Sequence, residues 1–353
     1  MAVLSPPAPH TPSRTAHGIG CVIVGMLFFV GQDVLMKTLL GNWTIWVLMS
    51  VRACMAVIVL VPLILMLGHP HRLVSPNWRL HLLRAVLFTT GFALFYSAFP
   101  FMGLAEVSTI FFSAPLMITL MAALFLRESI GVHRIGALVT GFAGVVIAMR
   151  PGAEGLAWIA LLPLACAAFY AASQVLARRI GDGESSLTVG LWTLVFSAPL
   201  ALAMGWAVNR VVTFGPEFAH LRWTLPEVTA HSLPPVLLLG IVGMVGYTLL
   251  SRAYQVADAS AVAPFDYSYL PMASVAAWLL WSEIPPVGTL IGMALIVASG
   301  LYIAWREMHG AGNADSQAVV AETITAPVNP FAPTGEGSEA EDAARAPDTA
   351  QTP

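Results

Sequence analysis

Trp43-Thr-Ile-Trp-Val-Leu-Met-Ser-Val-Arg52-Ala-Cys-Met-Ala-Val-Ile-Val-Leu-Val-Pro62-Leu-Ile-Leu-Met-Leu67 carries a single charge, Arg52, in an otherwise almost wholly apolar run. About 20 apolar residues cross the hydrocarbon core of a bilayer as a helix. Lipid offers no partner to a backbone amide, so a run of this kind has to be helical. The rest of the chain repeats the pattern. Hydrophobic residues make up 58% of 353 and charged residues 10%, against roughly a quarter charged in a soluble domain. Such a chain cannot cover itself with a water-facing surface. The fold class expected is an all-α integral membrane protein.

Ten apolar segments are legible: Gly18–Met36, Trp43–Leu67, Leu80–Phe101, Leu104–Leu126, Ile135–Met149, Leu156–Ala177, Leu187–Val208, Leu233–Ala253, Ala259–Trp281 and Val287–Trp305. The fifth is short and is expected to borrow flanking residues. Alternating spans sort the loop charges into two sets. Arg14, Arg72, Arg79, Arg127, Arg134, Arg178, Arg179 and Arg306 fall on the N-terminal side; Lys37, Arg150, Arg210 and Arg222 fall opposite. Arg84 and Arg252, near span ends, lean the same way as the larger set. Positive charge favours the cytoplasm, so both termini are expected there. Residues 1–16, rich in proline, and the acidic stretch 309–353 read as disordered tails, and the polar start argues against a cleaved signal peptide. Cys21, Cys54 and Cys166 all lie in apolar runs and read as packing residues, with no metal-ligand spacing.

The chain also resembles itself. Ala105-Glu-Val-Ser-Thr-Ile110 opens the fourth span and Ala257-Asp-Ala-Ser-Ala-Val262 the ninth. Glu128 and Glu283 follow those spans, and Gly136, Gly144 and Arg150 recur as Gly292, Gly300 and Arg306. Two repeats of five spans, 17–152 and 153–308, must insert in opposite orientations because five is odd. Inverted repeats place a solute site near the midplane between the halves in many secondary transporters.

Leu104-Ala-Glu-Val-Ser-Thr-Ile-Phe-Phe-Ser-Ala-Pro115, Phe125-Leu-Arg-Glu128, Gly141-Phe-Ala-Gly144 through Arg150-Pro-Gly152, and Ala263-Pro-Phe-Asp-Tyr267 through Trp281-Ser-Glu-Ile-Pro285 carry a family likeness, as does Gln32-Asp-Val-Leu-Met-Lys37 with Arg52. On these residues the chain resembles the drug/metabolite transporter superfamily, specifically proteins with two EamA-type domains, over about Gly18–Met308. The resemblance implies ten helices in inverted five-helix halves, a central cavity and alternating access in a bacterial inner membrane. Similar members handle amino acids, S-adenosylmethionine, riboflavin and other metabolites. The second half lacks an acid–lysine pair matching Asp33 and Lys37, so these two break the symmetry.

Ionisable residues inside a span are costly and each asks for a role. Asp33 and Lys37 are one helical turn apart and can pair on one face. Arg52, about 13 Å into its span at about 1.5 Å per residue, should meet an acid or the cavity, with Asp33 and Glu106 as candidates. Glu106 begins the fourth span and Asp258 precedes the ninth, where a carboxylate complements the helix dipole. Asp266 lies between Pro264 and Pro271 beside Tyr267 and Tyr269, in a span that proline should break. Irregular backbone at membrane depth survives only against protein or a wet cavity, so this stretch is a candidate binding wall. Pro115 marks the equivalent place in the fourth span. Glu128 and Glu283 read as loop-holding caps. Gly136, Thr140, Gly144, Gly288 and Gly292 follow small-xxx-small spacing, read as packing within the bundle, with a homodimer seam as the alternative.

No zinc-protease, serine-hydrolase or P-loop motif occurs. The class expected is a secondary transporter of a small organic solute, without cofactor, metal or nucleic-acid partner. The rival class is a membrane-embedded enzyme acting on lipid, disfavoured by the odd-numbered repeat. Tyr267, Tyr269, Phe95, Tyr96, Phe111 and Phe112 could stack on a flat ring, so riboflavin or a similar vitamin is preferred over an amino acid or S-adenosylmethionine.

Overall fold

The computed structural model describes residues 12–67, 73–125, 131–150, 158–181, 184–225, 233–257 and 259–310, and these contain helices and turns without a strand. Helices α1 (Pro12–Leu39), α2 (Ile45–Leu67), α3 (Trp78–Ser97), α4 (Leu104–Phe111), α5 (Ala114–Phe125) and α6 (Val132–Met149) form the first half. The second half holds α7 (Leu161–Gly181), α8 (Ser186–Val211), α9 (Leu233–Val256), α10 (Ala259–Val262), α11 (Tyr269–Trp281) and α12 (Val287–Gly310). A 3-10 turn, Pro216–Leu221, follows α8, and another, Ala263–Ser268, joins α10 to α11. Among the described residues eight helical stretches are long and apolar enough to cross a membrane, one of them Leu104–Phe125, and Leu161–Ala177 is a shorter apolar helix.

Several elements depart from the sequence reading. Helix α1 takes in Pro12–Ala16, which the sequence reading gave to a disordered tail. The third span ends at Ser97 rather than Phe101, because the chain turns toward Gly103. The helix of the sixth begins at Leu161. The fifth does borrow flanking residues, back to Val132. The fourth span is not one helix: α4 ends at Phe111, Ser113 Oγ donates to the Ile110 carbonyl at 2.6 Å, and α5 begins just before Pro115. Proline has no N–H to bond back, so the break falls in the turn before it. The ninth is interrupted likewise, with Pro264 at the start of its 3-10 turn. Asp258 and Glu128 lie outside the described residues.

Packing pairs helices from the two halves. Helix α1 lies on α9, α3 on α7, α2 on α8 and α6 on α12; α4 meets α11. Small residues allow the close approaches. A β-carbon on Gly292 would stand 2.5 Å from the Gly144 carbonyl oxygen and 2.7 Å from Ala148 Cβ. Gly25 and Gly246 likewise bring α1 and α9 together, each β-carbon falling 3.1–3.2 Å from the other's carbonyl. The small-residue spacing of α6 and α12 is therefore used inside the molecule, at Gly144, Gly288 and Gly292. Arg84, near its span end in the sequence, lies inside the bundle. It is buried between α3, α7 and α8, donating to the carbonyls of Ser173 (3.3 Å) and Val189 (3.4 Å), to Gln174 Oε1 (3.0 Å) and to Thr193 Oγ1.

Candidate functional site

The ends of α1, α4 and α11, with the turn that follows α3, surround a vestibule of about 610 Å³. Its wall carries Lys37, Glu106 and Glu283 with Phe99, Phe101 and Trp281, and the turn after α8 adds Glu217 and His220. That turn is held by Asn209, whose side chain donates to the Leu221 carbonyl and accepts from Trp223 N–H, at 2.9 and 2.8 Å. Burial pushes the His220 imidazole below its usual pKa, against a smaller opposing effect of the Ser97 backbone. A neutral ring results near pH 7, set edge-on to Phe101 at 5.8 Å.

Two ion pairs organise the vestibule, and neither joins the residues that spacing suggested. Lys37 does not pair with Asp33. Its ammonium reaches past the end of α1 to Glu283 Oε1 at 2.6 Å, donates to the Met102 carbonyl at 3.2 Å and lies 4.9 Å from the Trp281 ring centre. Glu283 also accepts from Leu104 N–H at 3.3 Å, so it holds the start of α4 as well as the lysine. Glu106 pairs with Arg150 at 2.8 Å, not with Arg52, while its other oxygen accepts from Gly103 N–H at 3.2 Å. The left-handed conformation of Arg150 (φ 47°) closes α6 at the residue whose guanidinium reaches Glu106.

Asp33 is 1% exposed and takes its partners from other helices. Tyr269 OH donates to Oδ2 at 2.5 Å and Tyr96 OH to Oδ1 at 3.3 Å. Arg52 donates to Tyr96 OH at 2.6 Å, so its link to Asp33 runs through the phenol. Ser108 of α4 donates to Tyr269 OH at 3.4 Å. Helices α1, α2, α3, α4 and α11 thus meet at one buried carboxylate. A buried charge demands such compensation. Sequence spacing could not supply it, because every partner comes from elsewhere in the chain.

The interrupted ninth span contributes differently from the binding wall expected. Asp266 is fully buried and accepts from Tyr254 OH of α9 at 2.8 Å. Tyr267 packs its hydroxyl against Gly300 of α12. Neither residue, nor Pro115 or Pro264, lines the vestibule. Phe95, Phe111 and Phe112 do not offer open faces to a ligand. Phe95 and Phe111 pack on each other at 4.9 Å, and Phe112 stacks on Tyr269 at 5.4 Å. Arg52 also borders a second, much smaller cavity of about 40 Å³ with Gln32, Phe29, Phe88 and Tyr247.

At the other end of α2 lies a cluster the sequence reading did not find. Glu184, in the α7–α8 connection, accepts from Ser75 at 2.5 Å and Asn77 at 2.8 Å and lies 2.9 Å from His81 Nε2. His81 and Glu184 stand 103 residues apart in the chain, so spacing does not announce the pairing.

The EamA-like transporter family matches residues 16–150 and again 157–305. The chain belongs to that family. This EamA-like transporter is 32% identical over 236 residues to a riboflavin transporter of Rhizobium johnstonii, covering 66% of this chain and 72% of that one. A riboflavin transporter of Vibrio cholerae is 30% identical over 73% of this chain and 82% of its own. An S-adenosylmethionine uptake transporter of Rickettsia bellii is 26% identical over 82% and 94%. A solved crystal structure, 18% identical, superposes with a TM-score of 0.54 over 83% of this chain and 97% of the other, which shows a shared fold. The EamA-like transporter is a multi-pass membrane protein that carries small metabolites.

Proposed function

We propose that this EamA-like transporter moves a flat-ring vitamin of the riboflavin type across a bacterial inner membrane by alternating access. The observation that carries this reading is the vestibule. Its volume suits a metabolite of several fused rings, it draws walls from both matched stretches, and aromatic and charged groups line it together. Riboflavin transporters among its relatives supply the substrate class. Ten spans follow if the shorter α7 and the interrupted α10–α11 run are added to the eight. Two inverted halves, 17–152 and 153–308, fit the packing, since α1 with α9 mirrors α3 with α7 while α2–α8 and α6–α12 pair like with like. The arginine distribution supports cytoplasmic termini, with the vestibule on the outer side.

In this reading the solute settles against Trp281 and Phe101, and the Asp33–Tyr96–Tyr269 network forms the floor that must open. Asp33 and Glu106 are the candidates for proton coupling, and Asp266 with Tyr254 braces the interrupted helix beside the path. A second reading, uptake of the cation S-adenosylmethionine, is favoured by the three carboxylates Glu106, Glu217 and Glu283 around the vestibule. Lipid chemistry in the membrane has no such support from the relatives. Proteoliposomes containing the purified chain decide between the two solutes. Fluorescent accumulation of riboflavin, absent from protein-free vesicles and not reduced by excess S-adenosylmethionine, is the expected result. Accumulation of labelled S-adenosylmethionine alone would replace the first reading with the second.

A further inference from the structure

We propose that the small cavity bounded by α1, α2, α3, α8 and α9 is the specificity site, where Arg52 and Gln32 read the imide-like edge of a planar heteroaromatic solute. The proposal rests on the flat-ring reading above and adds the part of the ring that is recognised.

Arg52 sits well inside α2, and its guanidinium lies over the rings of Phe92 and Tyr96 at 5.5 and 5.4 Å. One of its five N–H donors goes to Tyr96. Arg52 and Gln32 both border the cavity, and Gln32 is 4% exposed. A β-carbon on Gly243 of α9 would collide with the Gln32 amide oxygen, so the glycine there makes room for the amide. Phe29, Phe88 and Tyr247 supply ring surface around these two polar heads.

The chemistry of this pair is specific. A guanidinium fork donates to two acceptors in one plane, and a primary amide both donates and accepts. Together they complement an acceptor–donor–acceptor edge, two ring carbonyls flanking an N–H, presented by a flat solute that is neutral or anionic. A fixed cation meets Arg52 with like charge, so sulfonium and ammonium compounds are disfavoured in this cavity even where the acidic vestibule attracts them. About 40 Å³ holds no such ring. Its walls are the same helices that pack across the two halves, so the cavity widens when the halves move apart, and the edge is read after the vestibule has been passed.

Binding to the full-length protein in detergent, followed by riboflavin fluorescence, tests this. The probes are riboflavin, 3-methylriboflavin with its imide N–H blocked, lumichrome, and S-adenosylmethionine as competitor. Wild type should prefer riboflavin to 3-methylriboflavin by about tenfold or more, a difference of about 1.4 kcal/mol. Arg52→Gln and Gln32→Leu should abolish that preference, while lumichrome, which keeps the edge, should compete. If the Arg52 variant does not fold, Gly243→Ala, which displaces Gln32, must show the same loss. Unchanged discrimination in folded Arg52→Gln or Gly243→Ala overturns the specificity site alone. Competition by S-adenosylmethionine equal to that of lumichrome also overturns it. If wild type binds none of the three flavins, the flat-ring reading falls and this site with it.

Discussion

Asp33 shows what a single residue reveals in sequence and what it conceals. Its depth in an apolar run announces a role, because an unpaired carboxylate there is costly. Its partners are hidden, since Tyr96 and Tyr269 stand 63 and 236 residues away. Lys37 was legible for the same reason, and its nearest acid by spacing was the wrong one because four methylenes carry the ammonium past the helix end to Glu283. Arg52 and Glu106 repeat the lesson. Asp33→Asn keeps the size and one acceptor oxygen of the carboxylate but removes the charge that two phenols and, through Tyr96, Arg52 surround. A hydrogen bond to a charged group is worth about 1.5–3 kcal/mol against about 1 for a neutral one. Uptake by Asp33→Asn should therefore fall by about tenfold or more, with protein level near wild type. If Asp33 is the coupling group, the dependence of uptake on external pH should flatten too. Rates measured across pH 5.5–8 in proteoliposomes check both, and wild-type rates throughout would reduce Asp33 to a structural residue.

Among the elements, the unbroken helices were the readable part. Long apolar runs bounded by polar turns fix α2, α8, α9 and α12 to within a few residues. The interrupted spans were half readable. Pro115 and Pro264 announced irregular backbone, but the side on which each break falls depends on capping contacts such as Ser113 to the Ile110 carbonyl. The seam between α6 and α12 was readable as spacing and not as a partner, because small residues at four-residue intervals serve either an internal neighbour or a second copy. The structure gives the internal neighbour. Valine at 292 would drive two extra methyl groups, and the β-carbon itself, into the Gly144 carbonyl and Ala148. Overpacking of this kind costs about 1–3 kcal/mol, and here backbone rather than a pliable side chain is in the way. Gly292→Val should lower the detergent melting temperature and the monodisperse yield, whereas Gly136→Val, at a site open within 4 Å, should change neither. Equal melting curves for the two variants would show that the seam yields freely.

The whole molecule ties its halves at both ends of α2. Lys37 to Glu283 joins them beside the vestibule; His81, Ser75 and Asn77 to Glu184 join them at the far end. The vestibule is open in this arrangement while the Glu184 cluster is intact, so release on the far side requires that cluster to part. Burial makes it a firm closure, with His81 fully buried and Glu184 7% exposed at its side chain. Glu184→Gln keeps the shape and weakens the charge-assisted bonds, which should shift the population toward the state with the vestibule shut. Single cysteines in a chain without Cys21, Cys54 and Cys166 make this measurable. Ala219→Cys, exposed in the vestibule turn, should react with an impermeant maleimide on intact cells; Val74→Cys, 77% exposed beside the Glu184 cluster, should react only after permeabilisation. Adding Glu184→Gln should slow the Ala219→Cys reaction several-fold and leave its rate in denaturant unchanged. Labelling of Val74→Cys on intact cells would reverse the orientation drawn from the arginines. An unaltered Ala219→Cys rate would mean that the Glu184 cluster does not govern which side is open, and the Asp33 network would then have to close the path from both directions.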